Sequence, residues 1–295
     1  MTASAPFDRA LLARRRLRAV RANTGGADFL LRAVAAELSE RLSLVQRRFD
    51  VAADLSGHGL QVAEAMAAGG QVDRVLRLER VAGLAGVTGH VETVVGDDEL
   101  LPLADASIDL AVSVLSLHLT NDTPGAFVQI RRALKPDGLF LAAMLGGDTL
   151  TELRSSLLSA EAEISGGASP RVAPFVALKE AGALLQRTGF ALPVIDQDRL
   201  TVRYDSLFDL MRDLRSMGMT NALTARSRRP SSRTLFLRAA EIYAERFADP
   251  DGRLRATFDV IYLSGWRPHD SQQKPLKPGS AKMRLADALK PPAGD

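Results

Sequence analysis

Short apolar runs alternate with amphipathic segments along most of this chain. Phe49 to Leu55 (FDVAADL), Val72 to Leu78, His90 to Val95, Ile108 to Val114 and Gly138 to Leu145 (GLFLAAML) are short and mostly apolar, which predicts five strands. Gln61 to Ala68 and Pro124 to Leu134 carry helical periodicity between them. Pro124 near the start of the second, and Lys-Pro-Asp-Gly at its end, mark its boundaries. Strands that alternate with helices predict a parallel sheet covered on both faces. A sheet of that kind binds its ligand beyond the carboxyl ends of its strands, where the strand order reverses.

The pattern changes after the fifth strand. Thr149 and Glu152 have capping-box spacing, with Asp148 as a second capping candidate, and predict a helix to about Ile164. Ala177 to Thr188 reads as a helix stopped by Gly189, and Ile195 to Tyr204 as a strand. Ser206 to Met217 and Thr234 to Phe247 are amphipathic helices, and Thr257 to Trp266 is a last strand. The expected fold is α/β and Rossmann-like: a mostly parallel seven-stranded sheet, helices on both faces, and a helical insertion near the C-terminus. Residues 1–44 form an N-terminal helical extension, 45–204 with 257–268 the core domain, 205–256 a lid over the pocket mouth, and 269–295 a mobile tail rich in Pro, Lys and Gly.

Composition narrows the chemistry. The 295 residues are 46% hydrophobic and 25% charged, which are ordinary globular values. A net charge of +3 is too mild for a dedicated nucleic-acid binder. The chain has no cysteine, which excludes disulfides, thiolate metal sites and a Cys nucleophile. No apolar run approaches the ~18 residues that span a bilayer. Phe7 to Asn23 holds six Arg and an apolar face of Leu11, Leu12, Leu17 and Val20. That segment reads as a helix docked by its leucines, or as the Arg-rich, acid-poor start of a mitochondrial transit peptide.

Three pieces sit where a nucleoside cofactor would bind. Asp54-Leu55-Ser56-Gly57-His58-Gly59 follows the first strand, and its glycines allow close backbone approach. Glu79 closes the second strand 25 residues after Asp54, near the spacing at which an acid holds ribose hydroxyls. Gly96-Asp97-Asp98-Glu99-Leu100-Leu101-Pro102 follows the third strand and offers a carboxylate to an adenine amino group. His118 follows the fourth strand, at the expected rim between cofactor and substrate, as a base, a donor or a pocket wall. No two histidines have metal-ligand spacing.

These pieces, with the strand IDLAVSVLSLH, resemble the class I methyltransferases that use S-adenosylmethionine. Phe7-Asp8-Arg9, Ser116-Leu117-His118-Leu119-Thr120-Asn121-Asp122 and Gly146-Gly147-Asp148-Thr149-Leu150-Thr151-Glu152-Leu153-Arg154 narrow the resemblance. They look like the methyltransferase-fold assembly factors of respiratory complex I and their bacterial relatives, over nearly the whole chain. A more distant likeness is to the malonyl-carrier-protein methyltransferase of biotin synthesis. The resemblance implies S-adenosylmethionine held by Asp54, Ser56, Gly57, Gly59, Glu79, Asp97, Asp98 and Ser113, with His118 as the catalytic candidate. It implies that Asp148 and Arg154 face a protein substrate, a nascent complex I subunit. The setting it implies is the bacterial cytoplasm or the mitochondrial matrix side, with peripheral contact to the inner membrane. Apart from the resemblance, the basic loop of Arg226, Arg228 and Arg229 reads as a solvated loop, or as a contact for an acidic partner or lipid headgroups. Family knowledge links the mitochondrial member to arginine hydroxylation, not methylation.

The chain departs from that family at its first motif. Aligned without a gap, the usual glycine positions hold Ser56, His58 and Leu60. Side chains there predict weak or absent cofactor affinity, whereas a one-residue bulge would return Gly57 and Gly59 to service. Three functions follow: an enzyme that modifies a protein, a carrier-protein or small-molecule methyltransferase, and a non-catalytic module that chaperones an assembly intermediate.

Overall fold

The computed structural model describes residues 5–57, 59–85 and 91–273. His58, His90 and nearly all of the tail expected at 269–295 lie outside the described residues. Seven strands form one sheet: β1 (Phe49–Asp54), β2 (Val72–Glu79), β3 (Val91–Val95), β4 (Ile108–Val114), β5 (Leu134–Leu145), β6 (Ala191–Tyr204) and β7 (Leu254–Trp266). Their order is β3-β2-β1-β4-β5-β7-β6, with β7 antiparallel to both neighbours and the other pairs parallel. The order reverses between β1 and β4, which is where the ligand crevice of such a sheet opens.

Eight helices accompany the sheet in the described residues: α1 (Arg9–Ala22), α2 (Phe29–Ser43), α3 (Gln61–Ala68), α4 (Thr123–Ala133), α5 (Thr151–Ser165), α6 (Leu178–Arg187), α7 (Leu207–Ser216) and α8 (Arg233–Phe247). Side chains of the central strand β5 divide by parity. Leu139, Leu141, Ala143 and Leu145 enter one core with α2, α3, α5, α7 and α8, while Phe140, Ala142 and Met144 enter another with α4 and α6. Covering on both faces explains why these strands read as continuous apolar runs. The edge strand β6 alternates, and much of it is exposed.

Local chemistry sets the helix starts. Asp122 accepts from Gly125 N–H ahead of α4, and Ser206 and Ser232 cap α7 and α8 in the same way. The capping box expected at α5 does not form. Leu150 is its N-cap, in the left-handed region at φ 53° and without a side-chain cap. Thr149 Oγ1 donates to Asp259 O and accepts from Asp259 N–H, both at 3.0 Å. Glu152 accepts from the Thr257 hydroxyl and its N–H. Both polar groups are spent on pinning α5 to β7 across the sheet, a long-range use that local spacing does not encode. β5 also begins at Leu134, earlier than expected, because Leu134 already pairs with Ile108.

Candidate functional site

β1, β2 and β3 end side by side, so Asp54, Glu79 and Asp97 meet at one edge of the sheet. Asp54 is fully buried and accepts from Ser56 N–H at 2.9 Å. Burial pushes its pKa up, against the pull of its Ser56 hydrogen bonds and of Arg77 and Arg16. Among the described residues, Asp54 Oδ2 and the Oγ of Ser113, at the end of β4, have no hydrogen-bond partner. An unpaired buried polar atom is one that a polar partner would satisfy.

Gly57 and Gly59 have φ of +62° and +88°, the left-handed region that favours glycine. Ser56 is buried, and its hydroxyl accepts from Val114 N–H at 2.8 Å. Leu60 is the N-cap of α3 at φ −100°. Neither Ser56 nor Leu60 takes a positive φ, so the strain expected of side chains at these positions does not arise, while Ser56 still lines the crevice. His58 lies outside the described residues. Ser56→Gly is expected to lose about 1–3 kcal/mol of stability by leaving Val114 N–H unpaired, with cofactor affinity unchanged. Urea unfolding and a ligand titration of the variant check both parts.

Each acid already has cationic company. Glu79 is fully buried and accepts from Arg16 at 2.9 Å, from Val81 N–H at 3.0 Å and from Arg77. Asp97 accepts from Arg9 at 2.6 Å, from Glu99 N–H at 2.9 Å and from Arg80 at 3.3 Å. Asp98 pairs with Arg9 and Arg80 and accepts from the Ser116 hydroxyl at 3.2 Å. Burial raises the Asp98 pKa to about 7, with the attraction of Arg9 opposing and Asp97 adding to the rise. Burial also acts to raise Asp97, but its hydrogen bonds with Asp98, Glu99 N–H and Arg9 outweigh it and hold its carboxyl low.

Arg9 and Arg16 both come from α1, which lies against α7. The opening Phe7-Asp8-Arg9 fixes that helix. Phe7 N–H donates to Asn121 Oδ1 at 2.7 Å, Asp8 caps α1 through Leu11 N–H, and Asp8 pairs with Arg226 at 3.1 Å. Asn121 N–H in turn donates to Glu99. Three motifs that are far apart in sequence thus form one contact network over the crevice. Arg16 is the functional candidate that sequence reasoning missed. A helix docked only by leucines and one that also sends an arginine inward have the same apolar stripe. The overlooked signal was a cluster of acids larger than Arg77 and Arg80 could neutralise.

The crevice is divided. A cavity of about 70 Å³ lies between Arg9, Arg16, Ser56, Gly57, Asp98 and Met219. A second, of about 400 Å³, lies between Arg16, Leu30, Gly59, Leu115 and Met217. Both are lined by Arg16, Met217 and Met219, so Arg16 is part of the partition. The first alone is too small for a nucleoside cofactor, whose sites are typically about 300–1,000 Å³. Joined, the two are large enough, and their lining offers Gly57, Gly59 and the Asp98 carboxylate to S-adenosylmethionine, with Glu79 behind Arg16.

The remaining candidates are spread more widely. His118 is buried, not on the rim; its Nδ1 accepts from Leu145 N–H at 3.4 Å and its ring packs edge-on against Phe175 at 5.6 Å. Asp148 pairs with Arg199 on the surface. Arg154 donates to the carbonyls of Thr149 and Ala173 at 3.3 and 3.4 Å. Near them Arg171 clamps Glu161 at 2.7 Å. Hydrogen bonds from Arg171, outweighing burial and joined by Ser169, hold the Glu161 carboxyl at about 2, against an ordinary value of 4.5. A lowered carboxylate pKa adds stability that is complete above the ordinary value and lost as pH falls to the lowered one. Arg171→Met is therefore expected to lower stability at neutral pH and to flatten the loss between pH 4.5 and about 2, read as urea midpoints across that range.

A family model described as a methyltransferase domain matches residues 51–142, the span that holds Asp54, Glu79 and the Asp97 loop. The chain is 39% identical over 268 residues to "Arginine-hydroxylase NDUFAF5, mitochondrial" of Danio rerio, covering 89% of this chain and 83% of that protein. It is 32% identical to "Malonyl-[acyl-carrier protein] O-methyltransferase" of Methylovorus sp. strain MP688, covering 90% of this chain and 88% of that one. Among solved structures, the BH2331 protein of Bacillus halodurans C-125, itself assigned to the methyltransferases, matches with a TM-score of 0.57 at 15% identity, over 80% of this chain and 100% of that one; this likeness bears on the fold. The chain belongs to the S-adenosylmethionine-dependent methyltransferase superfamily, in the family that contains the NDUFAF5 proteins and is akin to the malonyl-carrier-protein O-methyltransferases.

Proposed function

We propose that this protein binds S-adenosylmethionine beyond β1, β2 and β3 and uses it on a protein-borne group during the assembly of respiratory complex I. One observation carries the cofactor half: acids at the ends of three adjacent strands around a left-handed Gly57–Gly59 turn. Glu79 would accept from the ribose hydroxyls, and Asp97 or Asp98 from the adenine amino group. Arg16 would exchange Glu79 for the cofactor's carboxylate, since its guanidinium already reaches the glycine turn. An added Cβ at Gly57 would stand 2.8 Å from Arg16 Nη1. When bound, the cofactor supplies an electrophilic sulfonium carbon. The protein's work is alignment and exclusion of water, which needs no catalytic dyad. Met217 and Met219, after α7, line both cavities, which supports a lid role for the insertion at 205–256.

The complex I half rests on the names of the relatives and on the long shared span. Titration of the full chain with S-adenosylmethionine, followed by incubation of the labelled cofactor with complex I subunits, tests both halves. Saturable binding with transfer of label to a subunit is expected. Binding without transfer would leave the cofactor site standing and refute the modifying role. A carrier-protein substrate is the second reading, favoured by the likeness to the Methylovorus malonyl-carrier-protein O-methyltransferase.

A further inference from the structure

We infer that Arg77 is a positioning residue for the cofactor's ribose: a fixed counter-ion that keeps Glu79 a charged and oriented acceptor when the ligand takes Arg16 away. The inference rests on the proposed cofactor site. It goes past that site by giving the two arginines on one carboxylate different roles.

The two cations are held differently. Arg77 and Glu79 are two residues apart on β2, so their side chains leave the same face of the strand. The Arg77 side chain is 2% exposed and that of Glu79 has no exposed surface. Besides Glu79, the Arg77 guanidinium donates to the Leu84 carbonyl at 3.3 Å and to the Thr93 hydroxyl of β3 at 3.4 Å. Arg16 reaches Glu79 from α1, none of whose residues is buried, and keeps 18% of its side chain exposed. A ligand can turn Arg16 aside at the surface, whereas Arg77 is bonded within the sheet edge.

The acceptor positions of Glu79 show what each arginine does. A carboxylate offers about four such positions. Val81 N–H takes one on Oε1, and Arg16 and Arg77 take two on Oε2. Departure of Arg16 leaves one position open on each oxygen, which suits two neighbouring ribose hydroxyls. Val81 N–H and Arg77 stay in place and fix the direction of both. Charge supplies the second reason. A fully buried carboxylate stripped of its cations is driven to take up a proton, and the protonated acid loses acceptor capacity. Asp54 of β1 and Asp98 of the loop after β3 also act on Arg16, and both are acids. With Arg16 turned to the ligand, Arg77 is the cation that remains on Glu79.

The test titrates the full chain and two variants by calorimetry with 5′-methylthioadenosine and its 2′,3′-dideoxy analogue, between about pH 6 and 9. The ratio of the two affinities isolates the ribose hydroxyls. Both ligands carry adenine, so the titration of Asp98, whose pKa is about 7, cancels in that ratio. The wild type is expected to prefer the hydroxylated ligand at least about a hundredfold, as two charge-assisted hydrogen bonds allow, with a ratio that is flat in pH. In Arg77→Met the hydroxylated ligand must bind with uptake of a proton, so the ratio should fall by up to about tenfold per unit as pH rises. Arg77→Lys keeps the charge but not the fork that joins Glu79, Leu84 and Thr93; its ratio should be flat and about tenfold below that of the wild type. Circular dichroism checks that both variants fold. A residue that only supports the fold would weaken both ligands alike. An unchanged ratio in Arg77→Met therefore overturns the inference, and if that variant does not fold, a wild-type ratio in Arg77→Lys overturns it. In either case the ribose site stands. A wild type that binds both ligands equally, or neither, overturns the ribose site and the role of Arg77 with it.

Discussion

Replacing Glu79 with alanine is expected to abolish measurable S-adenosylhomocysteine binding and to destabilise the protein in the same step. Glu79 sits at the end of β2 with no exposed surface, and its carboxylate serves Arg77, Arg16 and Val81 N–H. Truncation leaves Arg77, itself 2% exposed, without its counter-charge. Removing one partner of a buried pair costs about 3–5 kcal/mol. The ligand loses two charge-assisted hydrogen bonds at about 1.5–3 kcal/mol each, a hundredfold or more in affinity. Glu79→Gln separates the two effects, because it keeps the shape and one acceptor while removing the charge. It should fold, with a lowered melting temperature, and bind at least about tenfold more weakly than the wild type. Undiminished affinity in a folded Glu79→Gln would place the ribose elsewhere.

Replacing Arg16 with methionine is expected to act in opposite directions on two ligands. S-adenosylhomocysteine carries a carboxylate, and 5′-methylthioadenosine lacks it. Both must take Glu79 from Arg16, whose side chain is half-buried and whose pKa is lowered, chiefly by desolvation with Glu79 opposing. Only the first repays Arg16 with a new anion. Arg16→Met should therefore weaken S-adenosylhomocysteine by about tenfold, the worth of one charge-assisted hydrogen bond, and tighten 5′-methylthioadenosine, which no longer displaces an ion pair. Isothermal titration of wild type and variant with both ligands reads the four affinities. Parallel shifts of the two ligands would show that Arg16 only blocks the crevice or only supports it.

The frame of the fold was legible because it is local. Parity in GLFLAAML and the alternation of runs with amphipathic segments follow from burial on both sides of a parallel sheet, and Asp54 and Glu79 fall at strand ends by that logic alone. The conformation of the loop after β1 was not legible, because glycine spacing carries no backbone angles. Once Gly57 and Gly59 take positive φ, the Ser56 hydroxyl is free to bond Val114 N–H. Thr149 and Glu152 failed as a capping box because their partners are on β7, more than a hundred residues away. Arg9 was visible only as part of a motif and Arg16 only as one of six arginines. Their partners, Asp98 and Glu79, are settled by how α1 crosses the crevice.

The central claim is that α1 lends its arginines to acids that belong to a cofactor, and a crystal structure of the full chain with S-adenosylhomocysteine tests it most directly. The account predicts the ribose hydroxyls about 2.6–3.2 Å from the Glu79 carboxylate, Arg16 turned from Glu79 to the ligand's carboxylate, and Ser56 still bonded to Val114 N–H. A ligand bound with the Arg16–Glu79 pair intact, or seated away from the ends of β1, β2 and β3, would contradict it.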